Sequence, residues 1–191
     1  MKKLFIETYG CQMNFADSEV VASILKEMYT LTKEIQEADL ILINTCSILD
    51  KAEQRIHKRL RELEAYKRKK RTLQVGLLGC MAERMKEELL ETESVLDFIA
   101  GPDAYRTLPQ LIAESQKGKT TFNVLLSEEE TYDNIMPVRY DANGVSAFVS
   151  IMRGCNNFCS YCVVPYTRGR DRSRSPKTIL SEIEDLLKNN Y

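Results

Sequence analysis

Three cysteines, each at the end of a short apolar run and each followed by a helical pattern, restrict the folds open to this 191-residue chain. Cys11, Cys46 and Cys80 stand 35 and 34 residues apart. That spacing is about one strand, one helix and their loops, close to the roughly 30-residue βαβ unit. The second run, Leu40–Thr45, is almost wholly apolar, as in a parallel strand buried on both faces. We therefore predict an α/β fold: a parallel sheet in three layers, with helices on both faces.

Helical patterns follow all three cysteines. Asp17 or Ser18 is predicted to cap the first helix, since short polar side chains accept hydrogen bonds from free backbone N–H groups. The apolar stripe of that helix is predicted to be Val20, Val21, Ile24, Leu25 and Met28. Further helices are predicted over 51–69, including Ala52, and over 82–92 and 105–115, with a strand over 121–126.

The three strand-end cysteines have a geometric consequence. Parallel neighbouring strands end at the same carboxyl edge of a sheet, which is where open α/β sheets bind ligands. Three thiolates meeting there could hold a four-iron cluster, which leaves one iron without a protein ligand. The alternative is that all three are core residues, because free cysteine is among the most buried residue types. Their equivalent positions in successive units favour the cluster.

A second set of three cysteines lies in one short loop, Arg153–Cys162. Cys155, Cys159 and Cys162 are four and three residues apart, a spacing that lets a loop wrap one corner of a four-iron cluster. Zinc is the first alternative, but zinc sites usually add a second cysteine pair or histidines, and His57 is the only histidine of the chain. A disulfide is the second alternative, and it suits secreted proteins.

The first residues argue against secretion. Between Lys3 and Glu7 lie only three apolar residues, too few for a signal peptide, and no later run could span a membrane. We therefore expect a chain of the reducing cytoplasm without a membrane partner, where clustered cysteines more often bind metal than form disulfides.

Both cysteine sets together resemble the radical S-adenosylmethionine (SAM) methylthiotransferase family. The chain is most similar to the branch that modifies N6-dimethylallyladenosine in tRNA. The segments that carry the resemblance are TYGCQMN at 8–14, NTCS at 44–47, LGCMAE at 78–83 and GCNNFCSYCVVPYTRGR at 154–170. Sister enzymes that act on threonylcarbamoyladenosine, or on an aspartate of a ribosomal protein, share the cysteine plan.

The resemblance implies two [4Fe-4S] clusters with different tasks. The cluster on Cys155, Cys159 and Cys162 would bind SAM, with Tyr161 packed on the adenine. The auxiliary cluster on Cys11, Cys46 and Cys80 would supply the sulfur of a methylthio group placed on carbon 2 of the adenosine beside the anticodon. The chemistry belongs to these cofactors and needs no catalytic side chain, only an electron donor such as flavodoxin.

The predicted elements and a polar connector divide the chain into three parts. Residues 1–126 would be the N-terminal methylthiotransferase domain, 127–144 a linker that includes Asn143 and Gly144, and 145–191 the start of the radical SAM domain. That start is predicted as one strand, Ala147–Met152, and one helix that opens at Pro176 after Ser175. A full (β/α)8 barrel takes about 250 residues, so we expect an incomplete enzyme. A non-catalytic iron–sulfur-binding fragment and a threonylcarbamoyladenosine enzyme stay open as alternatives.

The net charge of −1 argues against bulk attraction to a polyanion, but two segments are locally basic. Neither segment requires a nucleic-acid partner. Residues 55–71 can be a solvated helix face, and residues 168–177 can be a mobile loop. Given the family, Arg168, Arg170 and Arg172 are the better candidates for binding tRNA phosphates.

Overall fold

A six-stranded parallel sheet in the order β2-β1-β3-β4-β5-β6 forms the centre of the structure, a computed structural model. The structure describes residues 1–46, 50–140 and 145–191, and only the backbone of Asp50, Lys51, Ala52 and Glu87. The strands of the sheet are β1 Lys2–Tyr9, β2 Tyr29–Leu31, β3 Leu40–Thr45, β4 Gln74–Gly79, β5 Phe98–Ala100 and β6 Thr121–Asn123. The predicted α/β fold is confirmed.

Helices cover both faces of this sheet because its central strands are apolar on both sides. Leu40 and Leu42 of β3 pack in one core cluster, while Ile41 and Ile43 point the other way into a second cluster. The helices are α1 Gln12–Leu25, α2 Asp50–Lys69, α3 Cys80–Met85, α4 Glu87–Thr92 and α5 Leu108–Ser115. The first cluster includes side chains of α1 and α5, and the second includes side chains of α2, α3 and α4. The result is three layers.

The register of the sheet determines where the site can form. Tyr9 of β1 lies opposite Thr45 of β3, and Thr45 lies opposite Gly79 of β4. The chain therefore leaves all three strands at one level of the carboxyl edge. The prediction that the three cysteine-bearing units lie side by side is confirmed.

The predicted start of the first helix is wrong. Helix α1 begins at Gln12, with Cys11 at its N-cap, so Asp17 and Ser18 lie inside the helix and are buried. The cap is supplied locally, because Asn14 accepts a hydrogen bond from the Cys11 backbone N–H. Met28 was predicted to face the core, but the helix ends at Leu25 and Met28 is exposed.

The other helix predictions are largely confirmed. Helix α2 matches the predicted 51–69, although the side chain of Ala52 lies outside the described part of the chain. The helix predicted over 82–92 is two helices, because Lys86 has a φ of +48° and interrupts the ladder between α3 and α4. Within the described residues, no helix is both long and apolar enough to cross a membrane.

The C-terminal segment differs from its predicted strand–helix unit. Instead of Ala147–Met152, the strand is β7, Met152–Arg153, and it pairs antiparallel with β8, Arg172–Ser173. Between them lies α6, Val164–Arg168. Helix α7, Pro176–Lys188, follows the Ser175 cap as predicted. A barrel strand needs parallel neighbours on both sides, and β7 has only β8 beside it in the described residues.

The predicted linker has no helix or strand in its described residues, 127–140. Asn143 and Gly144 lie outside the described residues. The domain boundaries at 126 and 145 stay a prediction.

Candidate functional site

The three strand-end cysteines lie at one edge of the sheet. Cys11 caps α1, Cys46 directly follows β3, and Cys80 is the first residue of α3. The Cys46 backbone N–H donates to the Tyr9 carbonyl at 3.0 Å, which extends the β1–β3 ladder to the cysteine itself. Contact with the Cys46 side chain is the main cause that lowers the pKa of the Cys11 thiol to about 5, and burial opposes it. The fold therefore brings together thiols that are far apart in sequence.

Two glycines let the strands approach closely at this edge. Gly10 and Gly79 have φ values of +139° and +91°. A Cβ at Gly79 would stand 2.5 Å from the Thr45 carbonyl oxygen, and one at Gly10 would stand 2.6 Å from the Cβ of Cys46. A larger residue at Gly10 would displace Cys46, and one at Gly79 would displace the end of β3 that leads into Cys46.

Two buried asparagines fix the backbone around Cys11 and Cys46. Asn14 donates from Nδ2 to Asn44 Oδ1 at 3.0 Å and to the Thr45 carbonyl at 3.1 Å. Asn44 donates back to the Asn14 carbonyl at 2.9 Å and to Ser18 Oγ at 2.9 Å. The Asn14 Oδ1 also accepts from the Cys11 thiol at 3.4 Å. These side chains hold turns in place, and Asn14 touches a cysteine as well.

Arg168 reaches the same edge from the C-terminal segment. Its Nε donates to Cys80 Sγ at 3.2 Å, and its Nη2 donates to Asp17 Oδ2 at 2.8 Å. The Arg168 side chain is only 2% exposed. Arg153 donates to the other oxygen of Asp17 at 2.6 Å. Burial alone would raise the pKa of Asp17, but these two charges outweigh it and hold that pKa below its usual value.

The predicted tRNA-binding arginines therefore need correction. Arg168 is buried against Asp17, and Arg172 forms two hydrogen bonds with Asp103, at 2.8 and 3.1 Å. A guanidinium already paired in the interior does not reach backbone phosphates. Of the three predicted contacts, only Arg170 is exposed.

Sequence reasoning also missed Glu83, one turn after Cys80. Its side chain is 3% exposed, and its Oε2 has no hydrogen-bond partner within the described residues. Burial raises the pKa of Glu83 to about 7, although Lys86 at 3.8 Å lowers it. The motif that resembles the family includes this glutamate, but only its buried position reveals that it is unusual.

The second cysteine set is held differently, in an open loop. The Cys155 backbone N–H donates to the Gly169 carbonyl at 3.1 Å, and that of Cys162 donates to the Cys159 carbonyl at 2.9 Å. Cys159 is exposed, while Cys155 and Cys162 are partly exposed. Tyr161, predicted to pack on adenine, is 90% exposed.

Gly154 sets the entry to this loop. Its φ is +73°, and a Cβ there would stand 1.9 Å from the carbonyl oxygen of Arg170. Beyond it, Phe158 and Tyr166 meet edge to face, with ring centroids 5.9 Å apart.

Both cysteine sets offer the donor type that iron–sulfur clusters take, with three thiols in each set. Among residues 1–46, 50–140 and 145–191, no three Cys, His, Asp or Glu side chains stand close enough to bind one metal ion. Each cysteine of a four-iron cluster binds a different iron, so its thiols lie further apart than the ligands of one ion. Three thiols without histidine, with the Arg168 guanidinium facing one of them, fit that donor set.

Two protein-family models match the chain. The Uncharacterized protein family UPF0004 matches residues 3–101, and the Radical SAM superfamily matches residues 149–191.

Curated relatives match the whole chain. A protein of Christiangramia forsetii is 58% identical over 191 residues, which is 100% of this chain and 40% of the relative. One of Flavobacterium johnsoniae is 59% identical over 186 residues, 97% of this chain and 39% of the relative. One of Bacteroides fragilis is 56% identical over 191 residues, 100% and 42%. All three are named tRNA-2-methylthio-N(6)-dimethylallyladenosine synthase, and this chain spans about 40% of their length.

Proposed function

Since the chain belongs to the family UPF0004 and continues into the radical SAM superfamily, we propose that it is part of a radical SAM methylthiotransferase that modifies tRNA. The observation that carries the proposal is the meeting of Cys11, Cys46 and Cys80 at one edge of the sheet, beside a segment that bears three more cysteines. The names of the relatives support the reaction class and tRNA as its substrate.

Each cysteine set would hold one [4Fe-4S] cluster. When bound, the two clusters and SAM would supply the electron transfer, the radical and the sulfur of the reaction. The chain's own residues hold and orient these groups. Gly10 and Gly79 let the three strand ends meet, and Asn14 fixes the turn that presents Cys11. In the second loop, the exposed ring of Tyr161 is free to cover the adenine of SAM.

The finer substrate is N6-dimethylallyladenosine beside the anticodon, methylthiolated on carbon 2. Its support is the name shared by relatives that are 56–59% identical to this chain. Arg170 is the exposed candidate for a phosphate contact. The proposal includes a one-electron donor such as flavodoxin and a cytoplasmic setting.

The test is the iron and acid-labile sulfide bound per chain after anaerobic reconstitution. Three proteins are compared: the parent, a Cys155→Ala/Cys159→Ala/Cys162→Ala variant, and a Cys11→Ala/Cys46→Ala/Cys80→Ala variant. We expect about eight irons in the parent and about four in each variant, because each set of three cysteines would hold one four-iron cluster.

Other outcomes change the assignment. About four irons in both the parent and the first variant would leave only the sheet-edge site, and the chain would be an iron–sulfur-binding module without SAM chemistry. Stoichiometric zinc with little iron would overturn the proposal. With two clusters bound, formation of 5′-deoxyadenosine from SAM under a reductant tests whether the second loop is competent.

A further inference from the structure

We propose that Arg168 is a positioning residue that raises the reduction potential of the cluster on Cys11, Cys46 and Cys80. The inference rests on the proposed function, because it requires that those cysteines hold a cluster. Arg168 lies at the end of α6, six residues after the last cysteine of the second loop. It therefore belongs to one cysteine segment in sequence and touches the other cysteine set in space.

The contacts of Arg168 fix its guanidinium rather than leave it mobile. Nε faces Cys80 Sγ at 3.2 Å, and Nη2 faces Asp17 Oδ2 at 2.8 Å. The Arg168 backbone carbonyl accepts from Arg172 Nη2 at 2.8 Å, which ties the end of α6 to Asp103. A side chain 2% exposed and bound at both ends cannot swing away from the sulfur without breaking buried ion pairs.

The second cysteine loop is anchored on the same carboxylate from both sides. Arg153 precedes Cys155 by two residues and binds Asp17 Oδ1, while Arg168 follows the loop and binds Asp17 Oδ2. Asp17 in turn lies on α1, the helix that Cys11 caps. One buried ion-pair network thus joins the second loop to α1 and, through Arg168, to Cys80, so the sulfur contact depends on the docking of this segment.

The effect on the reduction potential of the cluster follows from the positive charge of the Arg168 guanidinium. Reduction adds an electron to the cluster and makes its sulfurs more negative. A cationic N–H donor aimed at a ligating sulfur stabilises that extra charge, and hydrogen bonds to sulfur are a main determinant of cluster potentials. Burial strengthens the effect, because little water screens the guanidinium. Removal of this donor is expected to make the cluster harder to reduce.

The experiment uses the full chain with Cys155, Cys159 and Cys162 replaced by Ala, so that only the sheet-edge cluster can form. In that background, Arg168→Gln removes the cationic donor, and Arg168→Lys keeps the charge but cannot bind both partners as a fork does. Arg174→Gln is the matched control, since it breaks buried ion pairs with Asp133 and Glu182 in the same segment and touches neither Arg168 nor a cysteine. The midpoint potential is measured by dye-mediated titration, followed by absorbance and electron paramagnetic resonance.

We expect Arg168→Gln to lower the equilibrium constant for one-electron reduction at least tenfold, a shift of about 59 mV to more negative potential. Arg168→Lys should shift it less, and Arg174→Gln should leave it unchanged. An unchanged potential in Arg168→Gln, or equal shifts in both Gln variants, would overturn the inference. If Arg168→Gln does not fold, the comparison of Arg168→Lys with Arg174→Gln decides in the same way.

Iron content and reduction potential test the proposed function and the role of Arg168 separately. If the background chain binds no iron, the proposed function of Cys11, Cys46 and Cys80 is wrong. If it binds about four irons but Arg168→Gln leaves the midpoint potential unchanged, the proposed function stands and the inference about Arg168 fails.

Discussion

The two cysteine sets contrast in how the chain supports them. Cys11, Cys46 and Cys80 are far apart in sequence and meet because three paired strands end together. Cys155, Cys159 and Cys162 lie within eight residues, in a loop held by a backbone hydrogen bond from Cys155 to Gly169 and by hydrogen bonds between Asn156 and Asp171. The first site is therefore as stable as the sheet itself, while the second depends on its own short segment and on what that segment docks against. Substitutions that affect the stability of the whole fold and substitutions that affect only the second cysteine loop test this contrast.

Asp17→Asn should have the largest effect, because Asp17 supports both regions. The change leaves Arg153 and Arg168 buried without their shared counter-charge, which costs about 3–5 kcal/mol of unfolding free energy. Urea unfolding of the metal-free protein measures it. Glu37→Gln is the control, since it breaks an exposed pair with Lys3 and should cost at most about 1 kcal/mol. Similar losses in the two variants would contradict the central role of Asp17.

Gly79→Ala should come next and should damage the sheet-edge site. Its φ of +91° and the overlap with Thr45 predict a loss of about 3 kcal/mol. Gly118→Ala is the matched control, because Gly118 also has a positive φ but its Cβ would meet nothing within 4 Å, so strain alone costs about 1–2 kcal/mol. Thermal unfolding of the two variants gives the comparison, and equal losses would refute the crowding argument.

Gly154→Ala should damage the second cysteine loop and leave the sheet-edge site intact. The added Cβ would overlap the Arg170 carbonyl, so β7 and β8 must separate. The six-stranded sheet does not include the turn at Gly154. Iron bound by the second loop should therefore fall to less than half, while iron bound at the sheet-edge site is retained. Iron analysis in each single-site background measures both. Loss of iron from the sheet-edge site instead would show that the two sites are not separately supported.

Glu83→Gln should give a smaller, pH-dependent gain. Burial raises the pKa of Glu83 from 4.5 to about 7, so the folded state binds this proton more tightly than the unfolded chain does. The resulting stability is complete below pH 4.5 and is lost as the pH rises through about 7. The variant should therefore gain roughly 2 kcal/mol at pH 8 and nothing at pH 4.5. Urea unfolding at both pH values, with exposed Glu91→Gln as control, tests it; an equal effect at both would contradict it.

Tyr161→Ala should have the smallest effect on stability. A ring that is 90% exposed contributes little packing, so the free energy of unfolding should change by less than about 0.5 kcal/mol. SAM binding to the reconstituted second-loop site should weaken if Tyr161 covers the adenine. Equilibrium dialysis measures that affinity, and Tyr161→Phe, which keeps the ring, is the matched control. Equal SAM affinity in the parent and both variants would remove Tyr161 from the site.

The sequence predicts the sheet centre well because β1, β3 and β4 have strong local signals. Apolar runs, their glycines and the equal spacing of the cysteines all indicate the same parallel arrangement. Strands β2 and β5 have only three residues each and were not predicted, since so short a run gives no readable alternation.

Long-range charge pairing could not be predicted in the same way. Asp17 is a residue type that often caps helices. Only the fold shows that its carboxylate instead accepts hydrogen bonds from Arg153 and Arg168. The arginines of 168–174 suggest a phosphate-binding run, yet Arg168, Arg172 and Arg174 bind acids of the same chain. A local pattern gives the charge of a segment, whereas the partner of each charge depends on residues up to 151 positions away.

The hydrogen bond between Arg168 and Cys80 also has a consequence for the order in which the site forms during synthesis. The two residues are 88 positions apart, so at about 5–20 residues per second the ribosome adds Arg168 roughly 4 to 18 seconds after Cys80. During that interval the nascent sheet edge already carries all three of its cysteines, without the guanidinium that later covers Cys80. Iron and sulfide delivered to the growing chain would meet an uncovered Cys80, whereas in the finished chain Cys80 is buried beside Arg168 and Cys11 and Cys46 stay partly exposed.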